Sequence, residues 1–268
     1  LLDSTGTVRI PYNVTKIDSG VFNNLEGLRR VIIPGSVKEI GKNAFSNNTS
    51  LQEVIIEEGV EIIGDSAFER CSNLRKIQIP NSLKNIYNAA FRSCSLLENI
   101  NLPYNLQDIG SSAFLGCNEL KRITIPPSIT KISGNLFYGC INLQEITFLG
   151  NINSISTGAF NFCYNLEKIN IQYSNYYTMM NDKLLTSDLK TLIFIIKNNN
   201  INIDSLTIDE GITNISNGAL SVFYSNLKEL NLPSTINDIS KGIFESIPNI
   251  KTVNINNENI KYESDGIN

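Results

Sequence analysis

The chain has 268 residues, of which 41% are hydrophobic, 22 are basic and 26 are acidic, giving a formal net charge of −4 at pH 7. The hydrophobic fraction suffices for a buried core, and the mild acidity disfavours nucleic-acid binding, which needs a basic surface. The absence of histidine excludes the common nucleophilic triads and the usual zinc sites of hydrolases. No apolar run approaches the ~20 residues of a membrane-spanning helix. We therefore expect no enzyme activity, no metal or other cofactor, and no membrane insertion.

In most of the chain the same residue pattern repeats every 23 positions. A fixed period is the signature of stacked repeats, and it predicts seven consecutive units within residues 1–171. The same pattern returns twice within residues 211–256, which gives nine units in all. The seven units of the first run are marked by Phe22, Phe45, Phe68, Phe91, Phe114, Phe137 and Phe160.

Each unit contains two apolar segments. In the third unit Leu74, Ile77 and Ile79 alternate with polar positions, which predicts a short strand with one buried face. Leu83 and Ile86 follow and should pack on the opposite wall. The sequence thus predicts a β-rich solenoid of parallel short strands. Neighbouring strands should lie ~4.8 Å apart in one continuous sheet, making a body on the order of 50 Å long.

The repeat resembles the BspA-like branch of the leucine-rich-repeat superfamily, whose unit reads I-G-x-x-A-F-x-x-C-x-x-L-x-x-I-x-I-P. Ile63-Gly64, Ala67-Phe68, Cys71, Leu74, Ile77 and Ile79-Pro80 match it position by position. The resemblance implies a leucine-rich-repeat solenoid and a secreted or cell-surface protein of bacterial or protozoan type, engaged in adhesion.

Residues 172–210 break the period. Two apolar runs, 176–185 and 191–195, surround a connection containing Ser187 and Asp188, and we interpret them as one β-hairpin inserted in the solenoid. A strand from Ser205 to Ile208 should then lead back into the repeats. Residues 257–268 look like the start of a second, truncated hairpin. We therefore expect the natural protein to continue beyond residue 268, with any signal and anchor outside this sequence.

Five cysteines also recur every 23 residues and should stack in one column: Cys71, Cys94, Cys117, Cys140 and Cys163. A metal or redox role is one interpretation. The equivalent position holds Leu25, Asn48 and Ile247 in other units, and zinc sites use closer cysteine pairs. The pattern therefore favours reduced, buried thiols that pack as small hydrophobic groups.

The outward side chains of the longer strands, which we call the strand face, are the candidate partner-binding residues. Their alternating charges fit either a ladder of weak cross-strand ion pairs or a site for a charged ligand. The two isoleucines at one end fit either an exposed patch or a surface covered by residues 1–7 or by an upstream unit. The two outward columns are Arg30, Glu53, Lys76, Asn99, Arg122, Glu145 and Lys168, and Ile32, Ile55, Gln78, Asn101, Thr124, Thr147 and Asn170.

These features favour a non-catalytic binding or adhesion scaffold. We expect a monomer that presents its strand face, or the insert at 172–210, to an extracellular protein or glycan. The alternative is a structural spacer or stalk that holds another domain of a larger surface protein and has no ligand of its own.

Overall fold

The computed structural model describes residues 2–196, 204–239, 241–256 and 258–259. Short strands dominate these residues, and the expected β-rich leucine-rich-repeat solenoid is confirmed. In chain order the strands are β1 (Thr7–Arg9), β2 (Lys16–Ile17), β3 (Arg30–Ile33), β4 (Glu39–Ile40), β5 (Glu53–Ile56), β6 (Ile62–Ile63), β7 (Lys76–Gln78), β8 (Asn85–Ile86), β9 (Asp108–Ile109), β10 (Arg122–Ile125), β11 (Lys131–Ile132), β12 (Glu145–Phe148), β13 (Ser154–Ile155), β14 (Lys168–Ile171), β15 (Tyr177–Met180), β16 (Lys183–Thr186), β17 (Thr191–Ile195), β18 (Ser205–Thr207), β19 (Asn214–Ile215), β20 (Glu229–Leu232), β21 (Asp238–Ile239) and β22 (Thr252–Ile255). The described helices are a 3₁₀ turn at Ser221–Phe223 and α1 at Lys241–Glu245.

Successive units stack in register: in the first seven units each strand residue pairs with the one 23 positions later, whereas β18 pairs with β20 and β19 with β21 at a separation of 24. Arg30 lies opposite Glu53, and Glu53 lies opposite Lys76. The longer strands form the strand face, and the two-residue strands form a second wall. A turn edge, which contains the phenylalanines, leads from the second wall back to the strand face. Side chains from all three sides fill the interior.

The turn edge is held by a stack of phenylalanine rings. The seven rings from Phe22 to Phe160 lie nearly parallel, with neighbouring centroids 5.0 to 6.3 Å apart. The phenylalanines from Phe45 to Phe137 are fully buried. The residue two positions after each ring has a positive φ in all seven units, a backbone conformation that glycine and asparagine adopt most readily.

The strand face is not the continuous sheet that the period predicted. It divides into β1-β3-β5-β7 and β10-β12-β14, because residues 99–102 of the fourth unit form no strand. The backbone of these residues makes no ladder hydrogen bond to β7 or β10. Asn99 and Asn101 occupy both outward positions, and asparagine is disfavoured in strands. The second wall continues through this unit, since β8 pairs with β9.

The segment expected to form one hairpin contains three antiparallel strands, β15-β16-β17. Asn181 adopts a φ of 56° and reverses the chain within the first apolar run, so that run folds as a hairpin by itself. Strand β17 then pairs in parallel with β19, which builds the insert into the second wall. The second hairpin expected at 257–268 lies outside the described residues, apart from residues 258 and 259.

The insert joins two hydrophobic clusters. Leu184 and Phe194 pack in the cluster formed by the first seven units, whereas Leu185, Leu192 and Ile195 pack in the cluster of the last two units. Strands β16 and β17 therefore contribute side chains to both parts of the core.

Candidate binding surface

Ion pairs connect some of the outward side chains of the strand face. The Nε of Arg30 lies 2.8 Å from Glu53 Oε2, although the Nε–H is not aligned for a hydrogen bond. Glu145 lies 3.7 Å from the Nε of Arg122 and 3.0 Å from the Nζ of Lys168. The hydrogen bond from Lys168, followed by that from Asn170, lowers the pKa of Glu145. The ion-pair ladder therefore exists at these places.

Units six and seven are also linked by hydrogen bonds from the neutral side chain of Asn170. The Nδ2 of Asn170 donates to Glu145 Oε1 at 2.8 Å and to Thr147 Oγ1 at 2.9 Å. Glu145, Thr147 and Asn170 are half-buried. Their polar groups are occupied by one another, which leaves this end of the strand face little capacity for a ligand.

The two outward isoleucines are half-buried. Ile32 and Ile55 lie opposite each other, with Arg9 of β1 beyond Ile32 and Gln78 beyond Ile55. The neighbour of Ile32 on the N-terminal side is thus Arg9 of β1, which lies outside the residues 1–7 of the covering interpretation.

The remaining candidates form one exposed group in units three to five, which we call the open strand face. Among the described residues, its side chains make no hydrogen bond or ion pair except for the contact of Arg122 with Glu145. A recess of about 210 Å³ lies where the sheet is interrupted, lined by residues 99–102 and 122–124. The open strand face consists of Lys76, Gln78, Asn99, Asn101, Arg122 and Thr124, all exposed.

A second, larger recess of about 490 Å³ was not among the predicted sites. It lies on the strand face of the last units, between Glu210, Asn231 and Asn254. The carboxylate of Glu210 accepts hydrogen bonds from the Ser234 backbone and hydroxyl and from Asn256, and the Ser234 backbone bond is the main cause of its lowered pKa. Asn231 and Asn254 continue the second outward column of the strand face, which is the signal in the sequence that could have located this recess.

The cysteine column lies in the core. All five thiols are buried, and each Sγ lies 3.1 to 3.2 Å from the carbonyl oxygen of a phenylalanine of the preceding unit. Burial raises the pKa of Cys71 to about 12. In the described part of the chain no three His, Cys, Asp or Glu side chains are grouped so that they could hold a metal ion.

Asn48 takes the cysteine's place in the second unit. Its Nδ2 donates to the carbonyl oxygens of Phe22 and Phe45, and its Oδ1 accepts from the N–H of Leu25.

In the described residues, no helix has the length and apolar character needed to cross a membrane.

Comparison with known proteins places these features in a family. The family model for the BspA type leucine rich repeat region matches in six copies over residues 3–101, 84–202 and 194–265. No curated protein matches the sequence. A leucine rich cell surface protein from Faecalibacterium prausnitzii A2-165 is 27% identical, with a TM-score of 0.77 over 93% of this chain and 69% of that one.

A second solved structure supports the same assignment. The leucine rich repeat protein TpLRR of T. pallidum is 31% identical, with a TM-score of 0.55 over 60% of this chain and 77% of its own. The repeat, the parallel register and the family match agree, and the chain belongs to the BspA-type leucine-rich-repeat family.

Proposed function

We propose that this chain is a non-catalytic binding scaffold at the outside of the cell, and that its open strand face engages a protein partner. The observation that carries the proposal is the interruption of the strand face at unit four. There, exposed polar side chains with almost no intramolecular partners surround a recess.

The chemistry of the recess favours a protein over a glycan. The backbone N–H and C=O groups of residues 99–102 have no ladder partner, and each such group is a strong donor or acceptor. A side chain of the partner that enters the recess can pair with them. Lys76 and Arg122 at its rim add positive charge, which suits a partner surface with carboxylates.

An extracellular location is supported by the kind of protein to which the chain is similar. The Faecalibacterium prausnitzii relative is described as a cell surface protein. The buried column of reduced thiols does not oppose this location, because thiols without access to solvent do not exchange with external oxidants.

The experiment that tests the proposal is a binding screen of the purified chain against extracellular-matrix and plasma proteins. A Lys76→Glu/Arg122→Glu variant reverses the rim charges. Lys131→Glu is the matched control, because Lys131 is an exposed strand residue of the second wall without an ion pair among the described residues. A triple variant that also reverses the charge of Arg30 extends the test along the strand face.

We expect at least one saturable partner whose binding is weakened by the Lys76/Arg122 variant and unaffected by Lys131→Glu. Loss of about 2 kcal/mol, or roughly thirtyfold in Kd, is typical when a charge at the centre of an interface is removed. If no protein binds, the spacer interpretation replaces the proposal. Binding that is equal in all variants would place the site elsewhere on the chain.

A further inference from the structure

The turn edge of units six to eight carries a cluster of aromatic side chains outside the core, which we call the aromatic patch. It consists of Tyr138, Phe162, Tyr164 and Tyr224. Three of them are half-buried, and Tyr224 is 38% exposed. The patch lies on a different side of the coil from the open strand face.

Phe162 is the centre of the aromatic patch. Its ring centroid lies 4.9 Å from that of Tyr138, 5.9 Å from that of Tyr164 and 5.5 Å from that of Tyr224. The three tyrosine rings stand at 76°, 64° and 81° to it. Such edge-to-face contacts are favourable between aromatic rings, so the patch is a preassembled surface.

The backbone at Phe162 is unusual. Phe162 has a φ of 61° at the position that glycine, asparagine, serine or arginine fills in the other six units of the first run. A bulky residue with positive φ is a conformational outlier. Its N–H lies 3.1 Å from the Oγ of the buried Ser221, which ties this turn to unit eight.

The turns that carry the aromatic patch contain no charged residue, and Glu119 of unit five contacts them through Asn142. Residues 133–143, 156–166 and 216–227, the turns of units six to eight, have no Asp, Glu, Lys or Arg. The equivalent turns of units one to five and nine each contain at least one charged residue. Burial, followed by the neighbouring phenols, raises the pKa of Tyr164.

Neutral polar groups accompany the rings. The hydroxyls of Tyr138, Tyr164 and Tyr224 make no hydrogen bond within the described residues, although none is buried without a partner. The exposed Asn226 lies in the same turns, and side-chain amides both donate and accept hydrogen bonds. Aromatic rings beside neutral hydrogen-bonding groups suit a ligand that has apolar faces and hydroxyl groups.

We propose that the aromatic patch binds a neutral glycan. The C–H face of a sugar ring would stack on the exposed tyrosine ring, and sugar hydroxyls would pair with the phenol and amide groups. The patch and its ligand match in charge, since both are neutral. This inference shares with the proposed function only the idea that the chain is a binding scaffold, because it uses a separate surface.

A proline-rich peptide is the other neutral ligand that aromatic residues recognise. Such peptides dock in grooves lined by aromatic rings. The tyrosines here stand nearly perpendicular to Phe162 rather than forming the walls of a groove, which favours the glycan. A proline-rich peptide is therefore included as a competing ligand in the binding test.

The test is binding of the whole chain to a printed array of neutral, sialylated and sulfated oligosaccharides and to a proline-rich peptide. Titration with the best neutral oligosaccharide follows, using Tyr224→Ala and the conservative Tyr224→Phe. Tyr104→Ala is the matched control, because Tyr104 is 69% exposed and makes no ring contact among the described residues. Thermal unfolding followed by circular dichroism verifies that each variant is folded.

We expect saturable binding of a neutral oligosaccharide that Tyr224→Ala weakens about tenfold or more, the loss of one stacked ring. Tyr224→Phe should keep most of the affinity, and Tyr104→Ala all of it. Binding of charged oligosaccharides alone, Tyr224-dependent binding of the peptide alone, a silent array, or equal affinity of Tyr224→Ala would each overturn the inference. The Lys76→Glu/Arg122→Glu variant should bind the oligosaccharide normally. The proposed protein site and the proposed glycan site can therefore be refuted independently.

Discussion

Asn48 and the cysteines occupy equivalent positions but stabilise the turn edge differently. The sequence placed Asn48 in a packing column, and it is buried as that column requires. Its three hydrogen bonds could not be deduced from the period, because they depend on which backbone groups the neighbouring turns leave unpaired. Cysteine offers only a weak S–H donor at the same place.

Replacing Asn48 with alanine should lower the free energy of unfolding by about 2 to 4 kcal/mol. The substitution leaves the Leu25 N–H and two carbonyl oxygens without this partner in the interior, and buried unpaired groups are costly. Urea unfolding measures the change. Asn13→Ala, in an exposed turn, should change stability by less than about 0.5 kcal/mol, and equal effects of the two variants would refute the assigned role.

The buried thiols should make stability depend on pH in the alkaline range. The folded pKa of Cys71 and of Cys140 is raised to about 12 by burial, whereas an unfolded thiol titrates near 8.5. Above that pH the unfolded chain releases protons that the folded chain keeps. The free energy of unfolding should therefore fall by about 1.4 kcal/mol per thiol for each pH unit.

A Cys71→Ala/Cys140→Ala variant provides the control for this prediction. Between pH 7 and 9.5 its free energy of unfolding should decline by about 2 to 3 kcal/mol less than that of the parent chain. Urea unfolding at the two pH values measures the difference. Identical declines would show that these thiols are accessible and titrate normally in the folded chain.

At the scale of elements, unit four shows what a repeat pattern leaves out. Leu97, Ile100 and Leu102 fit the repeat as well as their counterparts do, yet residues 99–102 form no strand. The pattern records only the buried positions. The signal lies in the outward positions, where Asn99 and Asn101 both have low strand propensity.

The sequence predicts where the insert lies but not how its strands pair. The two apolar runs indicated strands, and strands are present. Asn181-Asp182 within the first run marked a turn, since asparagine readily adopts positive φ in two-residue hairpins. The pairing of β17 with β19 depends on contacts across the solenoid, which local sequence does not record.

Leu192→Ala should weaken the last units selectively. Leu192 is fully buried in the second cluster, and such truncations cost about 2 to 5 kcal/mol. Because repeats are stabilised mainly by their neighbours, amide hydrogen exchange should accelerate in residues 204–239 more than in residues 22–160. Leu189→Ala, at a 42% exposed position, is the control, and uniform acceleration along the chain would contradict the division of the core.

At the scale of the whole molecule, the fold followed from the sequence because one physical requirement is repeated many times. A single unit cannot bury its apolar edges, so the units must stack, and the phenylalanine spacing fixes the register. The binding surfaces are harder to predict from the sequence, because they lie where the repeat pattern is interrupted. Both proposed sites lie at such places: the missing strand of unit four, and the uncharged turns beside the insert.

The most direct test of the binding-scaffold account is hydrogen–deuterium exchange of the chain with and without a protein partner captured in the screen. The account predicts that the partner slows exchange in residues 76–78, 99–102 and 122–125, with residues 99–102 exchanging fastest of these three segments in the free chain because their backbone lacks ladder hydrogen bonds. Protection confined to other parts of the solenoid, with no change in these segments, would contradict it.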